Sequence, residues 1–287
     1  LKSHHPAGSP AQGGQAGRSE LRLRLLSAAV LIPIALVATW WGGLPAFLLV
    51  ALVAAIVFCE WANIVGRSPR LLPSTPDVSI GTAFVALASI TAGMQGLGVG
   101  LAVLIAGMIG VTLLSRSVWL AGGVAYAGLL GVSLSALRAD PAYGLASVTV
   151  LLVLVWATDS CAYFAGRTIG GAKLWPRVSP KKTWSGSIGG LVGGVLLAAI
   201  VAYAFGMRIG PMLILCLALL SIASQAGDLF ESAIKRHFDR KDSSRIIPGH
   251  GGMMDRVDGL IFAAAGAALI GWLHLGEHQV GQGMLSW

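Results

Sequence analysis

The chain has 287 residues, of which 55% are hydrophobic and 11% charged, with a formal net charge of +8 and a mean hydropathy of +0.78. Soluble domains carry about 25% charged residues, so this composition argues against a soluble enzyme, a disordered protein or a disulfide scaffold and for an integral membrane protein. The three cysteines, Cys59, Cys161 and Cys216, lie far apart in apolar runs without a CxxC pair, which leaves zinc, iron–sulfur and disulfide chemistry without support.

Residues 1–20 are rich in Gly, Pro, Gln and His and read as a disordered tail. Arg18, Arg22 and Arg24 then precede an apolar run that resembles a signal-peptide core. No clean A-x-A site follows it, and an uncleaved first span is expected. Nine spans are predicted in all, at 25–42, 45–65, 78–93, 97–115, 118–137, 144–166, 187–206, 210–230 and 259–275. The fold class is therefore an all-α integral membrane protein. Residues 21–140 form an N-terminal set of helices. Residues 141–287 form a C-terminal catalytic set with two long loops, 167–186 and 231–258.

Charge fixes the expected orientation. With the N-terminus in the cytoplasm, nine spans put 18 of the 20 Lys and Arg residues inside and leave only Arg138 and Arg208 outside. This partition explains the net positive charge without nucleic acid. It also puts both long loops on the cytoplasmic face, and the expected location is the plasma (inner) membrane.

Those loops hold the groups able to do chemistry. Six of the 12 acidic residues fall between Asp228 and Asp258, a bias that positive-inside topology does not explain. Asp159 and Asp228 each end an apolar run. A carboxylate there is costly unless paired, hydrogen-bonded or bound to a cation, with simple solvation at the interface as the ordinary alternative. Gly249, Gly251 and Gly252 form a flexible turn whose N–H groups suit phosphate as it enters a helix. Asp255 and Asp258, three apart, share a face of that helix. Mg²⁺ takes one or two protein carboxylates and fills its shell with phosphate oxygens and water. In the other loop, Arg167, Lys173, Arg177, Lys181 and Lys182 suit a polyphosphate or a lipid phosphate, or simply anchor the chain to anionic lipid. Neither GxSxG nor GxxxxGK[ST] occurs. His250 fits a phosphate donor, a general acid or a structural hydrogen bond equally well.

The 27 residues from Ser232 to Asp258, SAIKRHFDRKDSSRIIPGHGGMMDRVD, closely resemble the signature of the phosphatidate cytidylyltransferases, or CDP-diacylglycerol synthases. Asp159–Arg167 and Ser179-Pro180-Lys181-Lys182-Thr183 resemble the family's second block. One departure is Ser185, where the family commonly has Glu.

The resemblance implies a reaction of CTP with phosphatidic acid to give CDP-diacylglycerol and pyrophosphate, a homodimer among membrane lipids, and Mg²⁺ on Asp228 and Asp255, with K⁺ as a second cation. On this reading Lys235, Arg236, Lys241 and Arg256 neutralise the triphosphate, and His250 and Asp258 complete the catalytic set. Asp258 either orients Arg256 or binds a second ion. The Gly249, Gly251 and Gly252 backbone cradles the nucleotide. Lys181 and Lys182 hold the phosphatidate, and Ser179, Thr183, Ser232, Asp159 and Arg167 line the substrate site.

Three other readings compete. A CDP-alcohol phosphotransferase shares only the opening Asp255-Arg256-Val257-Asp258-Gly259 of its motif. A CTP-dependent lipid or polyprenol kinase is a second enzyme. A transporter would place charge at mid-span, where Glu60 is the main example here.

Overall fold

The computed structural model describes residues 33, 34, 36–68, 72–244, 246 and 251–287. Among these, eight helices are long and apolar enough to cross a membrane. They are α1 (Gly43–Ile64), α2 (Pro76–Gln95), α3 (Leu97–Ser115), α4 (Val118–Ala139), α5 (Gly144–Thr168), α6 (Trp184–Ala204), α7 (Pro211–His237) and α8 (Met254–Leu275). A short α9 (Val280–Leu285) follows. Residues 36–41 are also helical. The expected tail at 1–20 and most of the expected span at 25–42 lie outside the described residues.

Local chemistry sets the helix ends. Gly42, at φ +72°, turns the chain into α1. Pro76 and Pro211 occupy first-turn positions, where a missing N–H costs nothing. Gly96, at φ +110°, both ends α2 and starts α3, a backbone state that favours glycine. Ser117 caps α4 by accepting from the Leu120 N–H at 3.3 Å. Asp140 accepts from the Ala142 and Tyr143 N–H groups ahead of α5.

α4 is the central helix, with 83% of its apolar window buried, and it packs against α1, α2, α3 and α8. α5 and α6 form a close pair. Their contact runs along Gly186, Gly190 and Gly194: a Cβ at Gly186 would stand 2.8 Å from the Ala162 carbonyl and one at Gly190 2.7 Å from that of Thr158. Small residues at this spacing let helix backbones approach in lipid, where no hydrophobic drive pulls them together. An aromatic column crosses the core from α1 to α8. Trp61 lies 5.0 Å from Tyr126, Tyr126 lies 5.6 Å from Phe230 and Phe230 lies 5.3 Å from Phe262.

Bonds between connections show which helix ends lie together. At one end Arg138 donates to the carbonyls of Thr39 (2.6 Å) and Trp40 (3.2 Å). There too Glu277 accepts from the Gly98 N–H at 2.6 Å, and Asp140 accepts from the Gln282 N–H at 2.8 Å. At the other end Arg67 donates to the Ser115 carbonyl and the Trp61 indole to that of Trp119. The two loops rich in charge belong to this second end, where Lys182 meets Asp228.

Two expectations need correction. The segment 167–186 is not simply a loop: it contains an antiparallel hairpin of β1 (Lys173–Trp175) and β2 (Ser179–Thr183), with Lys173 opposite Thr183 and Trp175 opposite Ser179. Gly170 and Gly171, both at positive φ, release the chain from α5 into it. The segment 231–258 is shorter as a loop than expected, because α7 continues to His237 and α8 begins at Met254. Polar residues in both extensions carry the helices past the apolar stretch, so an apolar-run criterion stops too early.

Candidate active site

The last three turns of α7 carry Asp228, Glu231, Ser232 and Lys235 at spacings of three and four, which puts them along one face. Lys235 is clamped between acids, its Nζ 2.8 Å from Glu231 and 2.6 Å from Asp255 of α8. Asp228 pairs with Lys182 of β2 at 2.5 Å. Two stretches distant in sequence thus meet, as the sequence implied.

Close helix contact fixes the neighbouring acids. A Cβ at Gly227 would lie 2.5 Å from the carbonyl oxygen of Asp258, and one at Gly259 would lie 2.6 Å from the Ser224 hydroxyl. α7 and α8 therefore touch backbone to backbone beside Asp228 and Asp258. Asp258 interacts electrostatically with Asp228, Asp159 and Lys182, and Asp159 with Asp228, Lys182 and Arg256.

Asp228 and Asp255 hold separate lysines and belong to one electrostatic network through Asp258 and Glu231. Both act on Tyr126, as do Glu231 and Asp258.

The start of α8 differs from the expected cradle. Gly251 adopts φ +84°, as the turn requires. The Gly252 N–H, however, donates to Asp255 Oδ2 at 3.0 Å, and the Met253 and Met254 N–H groups donate to Glu60 of α1 at 2.9 and 2.7 Å. The helix end does gather negative charge, as its dipole favours. That charge comes from the protein's own carboxylates, and the amides at 252–254 are not free for phosphate. Gly249 and His250 lie outside the described residues.

The remaining expected residues divide by position. Thr183 is buried and caps α6, its hydroxyl accepting from the Gly186 N–H at 3.1 Å. That makes it a helix cap, where substrate contact was expected. The adjacent Lys181 and Lys182 point to opposite faces of β2, as strand geometry demands. Lys182 turns to α7 and Lys181 is exposed, so the two do not form the joint phosphate clamp that their adjacency suggested. Ser179 is half-buried in β2 and Ser232 half-buried on α7. Arg167 is exposed at the end of α5 and donates to the Tyr163 hydroxyl at 2.7 Å. Arg236, Lys241 and Arg256 are exposed around the rim. Ser185, the departure from the family pattern, bonds the Gly170 carbonyl at the root of the hairpin.

Glu60 was not placed in the site from sequence. It is fully buried, and it bonds the Ser243 and Ser244 hydroxyls at 3.0 and 2.5 Å besides the two α8 amides. Glu231, 1% exposed, was also passed over. The signal for Glu60 was present: a lone carboxylate inside an apolar helix points to function by default.

Among the described residues no group of three or more His, Cys, Asp or Glu is arranged as a metal cage. The donor chemistry nevertheless fits a hard divalent cation, which needs few protein ligands when phosphate and water supply the rest. Carboxyl groups at Asp159, Asp228, Glu231, Asp255 and Asp258 outnumber the cations at Lys182, Lys235 and Arg256, five to three. One oxygen of Glu231 is buried without a hydrogen-bond partner.

Comparison with known proteins adds a family. The sequence profile of the cytidylyltransferase family matches residues 22–274. A phosphatidate cytidylyltransferase of Brucella suis biovar 1 (strain 1330) is 41% identical over 265 residues, covering 88% of this chain and 94% of that protein. The phosphatidate cytidylyltransferase of Bacillus subtilis (strain 168) is 47% identical over 121 residues, 42% of this chain and 45% of that one. That of Haemophilus influenzae (strain Rd) is 45% identical over 142 residues, 48% and 49% of the two chains.

Proposed function

Because the chain belongs to the cytidylyltransferase family, we propose that it transfers the CMP moiety of CTP to phosphatidic acid, giving CDP-diacylglycerol and pyrophosphate. The observation that carries this reading is the ion pair of Lys182 with Asp228. It joins the two polar segments at one end of a membrane-spanning bundle, in a chain 41% identical to a phosphatidate cytidylyltransferase.

The chemistry follows from charge. A phosphatidate oxygen attacks the α-phosphorus of CTP, forming one P–O bond as the bond to the β-phosphate breaks and pyrophosphate leaves. The nucleophile is already ionised near neutral pH, so no strong base is required. The difficulty is to bring two anions together, and positioning with charge neutralisation supplies the rate. In this proposal Asp228 and Asp255 would hold Mg²⁺, which would supply positive charge to offset that of the triphosphate. Asp258 and Asp159 add negative charge beside it, with K⁺ as the candidate second cation. Lys235, Arg236, Lys241 and Arg256 face the triphosphate. Lys182 faces the phosphatidate phosphate and exchanges its partner Asp228 for it, while exposed Lys181 steers the anionic lipid toward the site. His250, Gly249 and Gly251 keep their proposed place near the nucleotide, while the Gly252 N–H serves Asp255.

The proposal extends to a homodimer in the inner membrane with the site facing the cytoplasm. The orientation is supported by the 18 of 20 basic residues that a cytoplasmic N-terminus collects on one side. The test is CTP-dependent pyrophosphate release by the purified protein in mixed micelles. Release that depends on phosphatidic acid, with a CDP-lipid product, is expected. Release of CDP with a phosphorylated polyprenol or diacylglycerol would identify a kinase instead, and no nucleotide chemistry at all would refute the enzyme reading.

A further inference from the structure

Glu60 stands far from the family signature in sequence, yet it accepts four hydrogen bonds beside the site. It lies in the last two turns of α1 and is 0% exposed. Its Oε1 accepts from the Ser244 hydroxyl at 2.5 Å and the Met253 N–H at 2.9 Å. Its Oε2 accepts from the Ser243 hydroxyl at 3.0 Å and the Met254 N–H at 2.7 Å. Each oxygen thus takes one hydroxyl and one amide. A buried carboxylate is costly unless its lone pairs are filled, and here four donors fill them. Two are unpaired amides of the α8 end, which every helix must satisfy.

The chain around this carboxylate is shaped to admit it. A Cβ at Gly252 would stand 2.8 Å from Glu60 Oε2, so a larger residue would push the turn away. The Ser243 hydroxyl is also 3.0 Å from Asp255 Oδ2, and the Ser243 and Gly252 N–H groups donate to that same oxygen. Asp255 in turn bonds Lys235. The Ser243 hydroxyl has one proton, and with it on Glu60 the Ser243 N–H still holds Asp255, so one bonded line runs from Glu60 through Ser243 to Asp255 and Lys235.

We propose that Glu60 is a positioning residue for the transferase site. As an internal anion, it fastens both flanks of the 243–254 segment to the start of α8 and thereby fixes the carboxylate of Asp255. It touches neither substrate. The inference rests on the proposed function only for its activity measurement, since its structural part is independent of the reaction.

Glu60→Gln tests it directly. The amide keeps the side-chain shape, loses one acceptor oxygen and turns an NH₂ donor toward N–H donors. In hydrogen exchange on the full chain in nanodiscs, the Met253 and Met254 amides should exchange about tenfold or more faster than in the unmodified protein. With phosphatidic acid and CTP, kcat should fall about tenfold or more while KM for phosphatidate stays within about twofold. Glu60→Asp should recover part of both. Ser243→Ala should lower kcat too, and the double variant Glu60→Gln/Ser243→Ala should lose no more than the worse single, since both break one line.

Unchanged amide protection in Glu60→Gln, or losses that multiply in the double variant, would overturn the proposal. If Glu60→Gln fails to fold, Ser243→Ala and Ser244→Ala carry the test: unmodified exchange and turnover in both would equally overturn it. If the unmodified protein shows no transferase activity, the proposed function fails, and the exchange measurement still decides the role of Glu60.

Discussion

Replacing Gly227 by alanine probes the site without touching an ionisable group. The added Cβ would lie 2.5 Å from the carbonyl oxygen of Asp258, 3.2 Å from the Phe262 Cβ and 3.3 Å from the Gly259 Cα. Carbon–oxygen contacts of this kind settle at about 3.3–3.6 Å, so α7 and α8 must separate there by roughly 1 Å. The obstacle is backbone on a packed helix and has no rotamer to yield. Overpacking of this kind costs about 1–3 kcal/mol, and a displacement of roughly 1 Å at a reaction centre costs up to about 100-fold in rate. The expected result is a fall in kcat of about 10- to 100-fold with a lower unfolding temperature in micelles. Gly266→Ala is the control on the same interface. Its Cβ meets only the tip of Leu220, at 3.1 Å, a flexible end that can rotate away, and activity should stay within about twofold. Turnover by Gly227→Ala equal to that of the control would refute the argument that α7–α8 contact sets the spacing of Asp228 and Asp258.

Asp228→Asn and Asp255→Asn should each lower turnover by about 100-fold or more while the protein remains in the membrane. Chelation of divalent cations should abolish activity and added Mg²⁺ should restore it; near-normal activity in either variant removes the metal proposal. Lys182→Ala should raise KM for phosphatidate more than KM for CTP, and the opposite ranking would exchange the two substrates between the segments. Cysteines introduced at Lys173 and Lys241 should be labelled from the same side of the membrane by an impermeant thiol reagent, after replacement of the native cysteines. Labelling from opposite sides would dismantle the shared site.

The all-helical, membrane-spanning architecture was legible because span length and hydropathy are averages over many residues. The same averaging hid the ends. Glu231, Lys235 and Arg236 look like the start of a loop on hydropathy, yet the backbone stays helical through His237. The hairpin was hidden for another reason: β1 has three residues and β2 has five, too few for an alternating pattern to emerge. Its existence reverses the reading of Lys181 and Lys182, because neighbours on a strand part ways while neighbours in a loop need not. Asp255 was visible inside the family signature and Asp228 as a carboxylate that ends an apolar run. Their lysine partners were not, since Lys182 lies 46 positions before Asp228 and spacing says nothing about which chain returns to which. Arg138 had no explanation in the sequence, and the structure supplies one: it holds the Thr39 and Trp40 carbonyls.

The site end of the bundle adds ion pairs to the side-chain-to-backbone bonds that both ends possess. At the end away from the site, Glu277 and Asp140 grip backbone amides and Arg138 grips carbonyls. At the other end, Lys182 and Lys235 are tied to carboxylates that a phosphate can rival. A phosphate that drew these lysines away would loosen the side-chain contacts at the site end and leave the Glu277, Asp140 and Arg138 bonds untouched, so a charged headgroup would be admitted from one side of the bundle.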